Sequence, residues 1–281
     1  MTKVWLITGS SRGLGRSIAE TVLKHGDKVV ATARRPEQLD DLKQLYGDNV
    51  RTVALDVRKI DQAQDAVQAA VEAFGRLDVV VNNAGYGNIA AIEESTEEEF
   101  RDQIETNFWG VVNVTRAALP VLRKQRSGHI FQITSIGGRI GTAGLAAYQA
   151  AKWGVEGFSE VLAREVSPFG VKVTIVEPGA MMTDWAGSSM HITQPGEDYK
   201  SSVGWMLGVL GHMSATVAAG HPVGSDLGKV ADAMLTVLND PEPPLRLLVG
   251  SDAVGYALAI DEAKLAETKK WEALSRSTDA V

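Results

Sequence analysis

The chain has 281 residues, 44% hydrophobic and 22% charged, close to the averages of folded globular domains, so global disorder, collagen and coiled coil are excluded. Its 28 Lys+Arg against 35 Asp+Glu leave a formal net charge of −7, which offers nucleic acid no basic face. No Cys is present, so there is no disulfide framework, thiolate zinc site or Cys nucleophile. The five His, at 25, 129, 191, 212 and 221, form no metal-binding pair at helical spacing, so no metal is expected, and a cytoplasmic location is.

The run Val4 to Thr8 predicts a first strand. It is too short for a signal peptide, and no window holds about twenty uninterrupted apolar residues, so no membrane span is expected. The strand enters Thr8-Gly9-Ser10-Ser11-Arg12-Gly13-Leu14-Gly15, and a helix follows to about His25. Further short apolar runs at 28–33, 50–55, 78–82, 129–134 and 171–177 predict strands. Between them lie helical patterns, such as Ile60 to Phe74 with Ala63, Val67, Ala70, Val71 and Phe74 on one stripe, and long helices over 97–124 and 147–166. Runs without alternation, such as Val79-Val80-Val81, are typical of strands covered on both faces, so the expected fold is α/β, a single-domain doubly wound parallel sheet.

Composition shifts after Glu177. From 178 to 224 the chain is rich in Gly, Ser, His and Met, with Met181, Met182, Met190, Met206 and Met213 beside Trp185 and Trp205, which predicts an adaptable flap over about 179–225. A helix over 227–238 and a Pro-rich turn lead to a last strand at 245–249. The end, 251–281, reads as a helical extension with Leu265, Trp271 and Leu274 as its expected anchors.

The Gly-rich turn is the first chemical signal. Glycine lets the backbone turn tightly and approach a ligand, while the free N–H groups and dipole of the next helix attract an anion. Gly9, Ser11, Arg12, Gly13, Leu14 and Gly15 are therefore candidates for holding a phosphate. Their spacing is Gly-x-x-x-Gly-x-Gly, not the common Gly-x-Gly-x-x-Gly.

That motif, followed in order by Asn82-Asn83-Ala84-Gly85, Asn107, Ser135, Tyr148-x-x-x-Lys152 and Pro178-Gly179, resembles the short-chain dehydrogenase/reductase family over about residues 3 to 250. The resemblance implies a Rossmann-like nucleotide-binding and catalytic domain over 1–250. It assigns Asn107, Ser135, Tyr148 and Lys152 as the catalytic residues. Hydride transfer to a ketone leaves negative charge on oxygen, which calls for a proton donor and a second hydrogen-bond donor, here Tyr148 and Ser135. Lys152, four residues on, shares the helix face of Tyr148, where an ammonium would favour the phenolate. In the family the Lys also binds the nicotinamide ribose, and the Asn ties it to a water relay.

Cofactor choice rests on the end of the second strand. An NAD enzyme of this class places a carboxylate there, whereas this chain reads Val30-Ala31-Thr32-Ala33-Arg34-Arg35. Arg34, with Arg12, suits the 2′-phosphate of NADP(H), which is the expected cofactor. By resemblance, Asp56 and Val57 meet the adenine, and Asn83, Ala84 and Gly85 flank the adenosine ribose. Pro178, Gly179, Met181 and Thr183 meet the nicotinamide amide, with Met181 standing where Val or Ile is more usual.

The expected partner is a hydrophobic carbonyl or alcohol, contacted by Ser135, Gly137, Leu145, Tyr148, Met182 and Trp185; Met181 is a further candidate. The long helices 97–124 and 147–166 are those through which family members pair, so a homo-oligomer is expected. The alternative reading is a catalytically silent NADP-sensing or scaffold protein of the same fold. An intact catalytic set weighs against it. A methyltransferase would have no use for Tyr148, Lys152 and Arg34 together, and enoyl reduction goes with a longer Tyr-to-Lys spacing.

Overall fold

In the computed structural model, which describes residues 2–181, 190–219 and 223–280, strand β1 (Val4–Ile7) is buried at all four positions. Alternate residues serve opposite layers. Trp5 and Ile7 join a cluster with Leu14, Ile18 and Val22 of helix α1 (Gly13–Lys24), while Val4 and Leu6 join a second cluster on the other face. A strand covered on both sides has no reason to alternate polar with apolar residues, which explains its uniform text. Each such fully buried Val, Leu or Ile contributes on the order of 2 kcal/mol.

The chain continues through β2 (Lys28–Ala33), α2 (Asp40–Tyr46), β3 (Val50–Ala54), α3 (Ile60–Phe74), β4 (Val79–Asn82), β5 (Gly87–Ile89) and α4 (Glu97–Ile104). There follow α5 (Gly110–Gln125), β6 (Gly128–Ile133), α6 (Ala146–Val166), β7 (Val171–Pro178), β8 (Met190–Ile192), α7 (Val203–Ala218), α8 (Leu227–Asn239), β9 (Arg246–Val249) and α9 (Ser251–Arg276). Seven strands form one parallel sheet in the order β3-β2-β1-β4-β6-β7-β9. Helices α1 and α8 cover one face, and α3, α5 and α6 the other. The winding reverses between β1 and β4, and it is beyond the carboxyl ends at such a switch point that doubly wound sheets bind ligands.

The helical stretch expected between β2 and β3 is the short α2. Three features differ from the sequence expectation. The helix expected over 97–124 is broken by a wide π turn, Glu105–Trp109, centred on Asn107. The flap contains regular structure: β8 pairs in parallel with β5 as a separate two-stranded ladder, and α7 packs Val203 and Leu210 against Ile89, Ala91 and Leu145. Finally, Leu265, Trp271 and Leu274 are 54%, 51% and 61% exposed and anchor nothing within the described chain. The extension is held instead by its first turns, where Ala253 and Ala257 are buried, and by polar contacts from Asp252, Asp261 and Lys264. Small side chains let the helix lie close against the body, which a pattern search for large apolar residues does not detect.

Among the described residues no helix is long and apolar enough to cross a membrane. No cluster of metal-ligating side chains is found among them either.

Candidate active site

The Gly-rich turn leaves β1 with Gly9 at φ 68° and Gly13 at φ 58°, a left-handed region that suits glycine. Helix α1 starts with no side-chain cap and no acidic residue in its first turn, so its first N–H groups and positive end are available to an anion. The turn is braced from behind. Thr8 Oγ1 accepts the N–H groups of Asn83 and Ala84, each at 2.9 Å, and Asn83 Nδ2 donates to the carbonyls of Thr8 (2.9 Å) and Gly9 (3.3 Å). Asn83, expected beside the ribose, therefore spends its amide nitrogen on holding the turn.

Arg34 stands exposed at the end of β2, and Arg12 is exposed within the turn. Asp56, expected at the adenine, is gripped by Arg58, whose Nη2 reaches Oδ2 at 2.7 Å; that guanidinium holds the carboxyl below its ordinary pKa. Val57 is buried against Gly110, which leaves no room for a side chain there.

Ser135, Tyr148 and Lys152 come together at the carboxyl ends of β6 and β7. Ser135 follows β6 in extended conformation; its Oγ accepts the N–H of Gly137 at 3.0 Å and is hydrogen-bonded to the Tyr148 hydroxyl. Tyr148 and Lys152 lie in the first two turns of α6, both buried, with Lys152 Nζ 5.7 Å from the centre of the Tyr148 ring. Lys152 Nζ donates to the carbonyl of Ile133 at 2.8 Å, which fixes the amine under the site.

Burial dominates the electrostatics of this pair. It pushes the Tyr148 phenol up to about 12, partly opposed by the bond to Ser135, and brings the Lys152 amine down to about 8, opposed by the charge of Glu156. The acidified phenol expected from the sequence is not the state of the free protein. Desolvation penalises the phenolate more than the neighbouring groups favour it.

Asn107, in the π turn, is fully buried, and its side chain closes on the backbone of Tyr86: Oδ1 accepts its N–H at 3.2 Å and Nδ2 donates to its carbonyl at 2.8 Å. Gly85 is required beside it, because a Cβ there would stand 2.9 Å from Asn107 Oδ1. Pro178 ends β7, and Gly179 N donates to Val249 O at 2.9 Å. Met181 pairs with Ser225 in an isolated bridge and packs toward the α1–α8 core. Gly137 and Leu145 are buried near Ser135 and the flap, whereas Met182, Thr183 and Trp185 lie outside the described residues.

Sequence reasoning missed a buried charged group behind the site: Glu156 on α6, Glu177 on β7, Arg246 on β9 and Arg139 after β6. One signal was present. Glu177 is a carboxylate directly after Ile175-Val176 in a strand expected to be covered on both faces, and such a residue needs a partner. A second missed contact is Asp252, whose carboxylate accepts the N–H of Ala180 at 2.7 Å.

This geometry has close parallels. Residues 3–192 match the family model described as short chain dehydrogenase. "Oxidoreductase BOA17" of Botryotinia fuckeliana (strain B05.10) is 53% identical over 276 residues, covering 98% of each chain. A crystal structure of a short-chain dehydrogenase from Streptomyces avermitilis superposes with a TM-score of 0.91 at 39% identity, covering 100% of this chain and 99% of that one. An alcohol dehydrogenase from Thermococcus sibiricus, complexed with 5-hydroxy-NADP, gives a TM-score of 0.72 at 28% identity over 89% of this chain and 97% of that one. With the glycine turn at the switch point of the sheet and Ser135, Tyr148 and Lys152 at its carboxyl edge, these matches make the chain an oxidoreductase of the short-chain dehydrogenase family.

Proposed function

We propose that this protein reduces the carbonyl of a hydrophobic ketone or aldehyde with NADPH, and catalyses the reverse oxidation of the secondary or primary alcohol. The observation that carries the reading is the Ser135–Tyr148–Lys152 arrangement, a protonated phenol and a hydroxyl side by side over a fixed amine.

A bound NADPH supplies the hydride. The residues present fit that cofactor: an uncapped helix start behind a glycine turn for the pyrophosphate, and Arg34 and Arg12 exposed where a 2′-phosphate would lie. No carboxylate stands at the end of β2 to repel that phosphate. The Thermococcus sibiricus neighbour bound to an NADP derivative supports the same choice.

In the reduction, Tyr148 donates its phenolic proton to the carbonyl oxygen as negative charge develops there, and Ser135 donates a hydrogen bond to the same oxygen. A phenol kept protonated by burial is in the correct state for this direction. Lys152, held by Ile133, places positive charge under the phenolate left behind. Asn107 fixes the Gly85–Tyr86 backbone through its side chain, so any part it takes in a water relay runs through its main chain.

The apolar cluster of Ile89, Leu145, Val203 and Leu210, with Met190, Met206 and Met213 packed against it, supports a hydrophobic substrate and an adaptable pocket. Trp109 and Trp153 are 44% and 46% exposed on the helical faces over 97–124 and 147–166, which supports pairing of two copies there.

The test is NADPH consumption across ketones of graded size, aliphatic, aryl and polycyclic, with NADH run in parallel. Oxidation of NADPH that depends on an apolar ketone is the expected result. Absence of turnover with every carbonyl, while NADPH still binds, would favour a silent cofactor-sensing protein.

A further inference from the structure

Glu156 lies on α6 one helical turn beyond Lys152 and is buried. Its Oε1 is 2.7 Å from Thr134 Oγ1, and that same hydroxyl is 3.0 Å from the carbonyl oxygen of Val176. A threonine hydroxyl has one hydrogen, and a carbonyl can only accept. Val176 O already accepts the N–H of Thr134 at 2.8 Å, so the hydroxyl can donate to an ionised Glu156 or, turned to Val176, accept a proton that Glu156 carries; the charges around Glu156 decide between the two.

The surroundings favour that proton. Glu156 Oε2 accepts from Arg246 Nε at 3.1 Å, but the same Nε also faces Glu177 Oε1 at 3.2 Å, and Arg246 Nη2 is engaged by Glu160. Glu177 has no exposed surface and holds a second guanidinium, that of Arg139, at 2.8 Å; Arg139 in turn pairs with Asp261 of α9. The groups facing Glu156 are therefore Lys152 and Glu160 from its own helix, Thr134 from β6, Glu177 from β7 and Arg246 from β9, with Gly138 packed on its stem. Two buried carboxyls on one guanidinium do not both ionise cheaply. Burial, together with the Glu177 carboxylate beside it, raises the Glu156 carboxyl well above the ordinary carboxylate range.

We propose that Glu156 is a positioning residue for Lys152: near neutral pH it holds a proton given to Thr134, and as the pH rises it releases that proton to solvent, so that a negative charge appears one turn behind the amine and keeps it an ammonium. Its importance for turnover rests on the reading of Tyr148 and Lys152 given above. Lys152 needs such help because burial brings its pKa down to about 8, and the Glu156 charge is what opposes this.

The experiment uses the full, unliganded chain, so its outcome is separate from that of the ketone screen. Infrared spectra between about pH 6.5 and about pH 9, above the range in which ordinary carboxyls hold protons, are expected to show a protonated-carboxyl band that fades as the pH rises and is missing in Glu156→Gln. Glu177→Gln, which removes the competing charge, is expected to move that fading about one pH unit lower. In protein labelled with [13C]lysine, with the Lys152 signal identified by Lys152→Met, Glu156→Gln is expected to lower the lysine titration midpoint by about one pH unit. A wild-type spectrum without the band at the acid end, or a band that persists in Glu156→Gln, overturns the proton assignment. A lysine midpoint unmoved in Glu156→Gln overturns the coupling.

Discussion

Lys152 Nζ stands 5.7 Å from the centre of the Tyr148 ring, one turn along the same helix, and is held there by the carbonyl of Ile133 rather than by another side chain. The phenol thus lies over a fixed amine and, kept protonated by burial, is the proposed proton donor. Tyr148→Phe removes that proton and little else. Carbonyl reduction is expected to fall by about 10²- to 10⁴-fold with thermal stability nearly unchanged. Fluorescence titration with NADPH should give an affinity close to that of the parent. A parental turnover rate in the variant would show that another group donates the proton.

Arg34 ends β2 with no carboxylate beside it on the strand. Arg34→Asp reverses the charge where a 2′-phosphate would sit, at a cost of about 2 kcal/mol, or roughly 30-fold in affinity for NADPH. Affinity for NADH, which lacks that phosphate, should rise or hold. Equal loss for both cofactors, measured as dissociation constants, would remove Arg34 from the phosphate site.

Two glycines separate a tight turn from an open helix. A Cβ on Gly15 would collide with the carbonyl of Gly9 and the amide of Asn83, both fixed parts of the turn, so Gly15→Ala should destabilise by about 1–3 kcal/mol and abolish cofactor binding. Gly255, inside α9 and with nothing near its Cβ position, should behave oppositely. Gly255→Ala is expected to stabilise by about 0.5–1 kcal/mol through helix propensity. Urea denaturation of the two variants tests both signs.

His129 is buried against Phe131, with ring centres 4.2 Å apart, and its Nε2 meets Thr174 Oγ1 at 2.9 Å. Thr174 gives its hydrogen to Pro244 O, so His129 Nε2 carries the proton and Nδ1 is a bare, buried acceptor with no partner. Burial, aided by Lys172 and Lys3, brings its pKa down from 6.5 to about 3. The unfolded chain therefore binds a proton that the folded chain refuses. Stability from this group is complete above pH 6.5 and is lost as the pH falls toward 3, by about 2 kcal/mol at pH 5. In His129→Phe the difference in unfolding free energy between about pH 7.5 and about pH 5 should shrink by that amount. An unchanged difference would place the acid sensitivity elsewhere.

Much of the fold was legible because burial on both faces leaves a plain mark. Val79-Val80-Val81 reads as an inner strand and is one, and the six strands expected before the flap recur within one or two residues. The flap was less legible. Helix α7 is apolar on most of its surface and carries no Lys, Arg, Asp or Glu, so no polar face marks its phase, and the three-residue β5–β8 ladder is too short to show a period. The π turn at Asn107 was invisible for another reason: the wide turn is set by what Asn107 finds on the Tyr86 backbone, 21 residues away.

The sequence by itself determined the elements and the chemical types: which runs bury, where glycine permits a turn, and that Tyr148 and Lys152 share one helix face, because these depend on neighbours within a few residues. Only the tertiary structure decided the charge states. Whether Tyr148 keeps its proton, whether Lys152 is weakened, and how far the Glu156 carboxyl is raised depend on how much water each loses and on which charged groups stand beside it. The guanidiniums behind the site belong to Arg139 and Arg246, 17 residues before and 90 after Glu156, and only the closing of β6, β7 and β9 into one sheet brings them there.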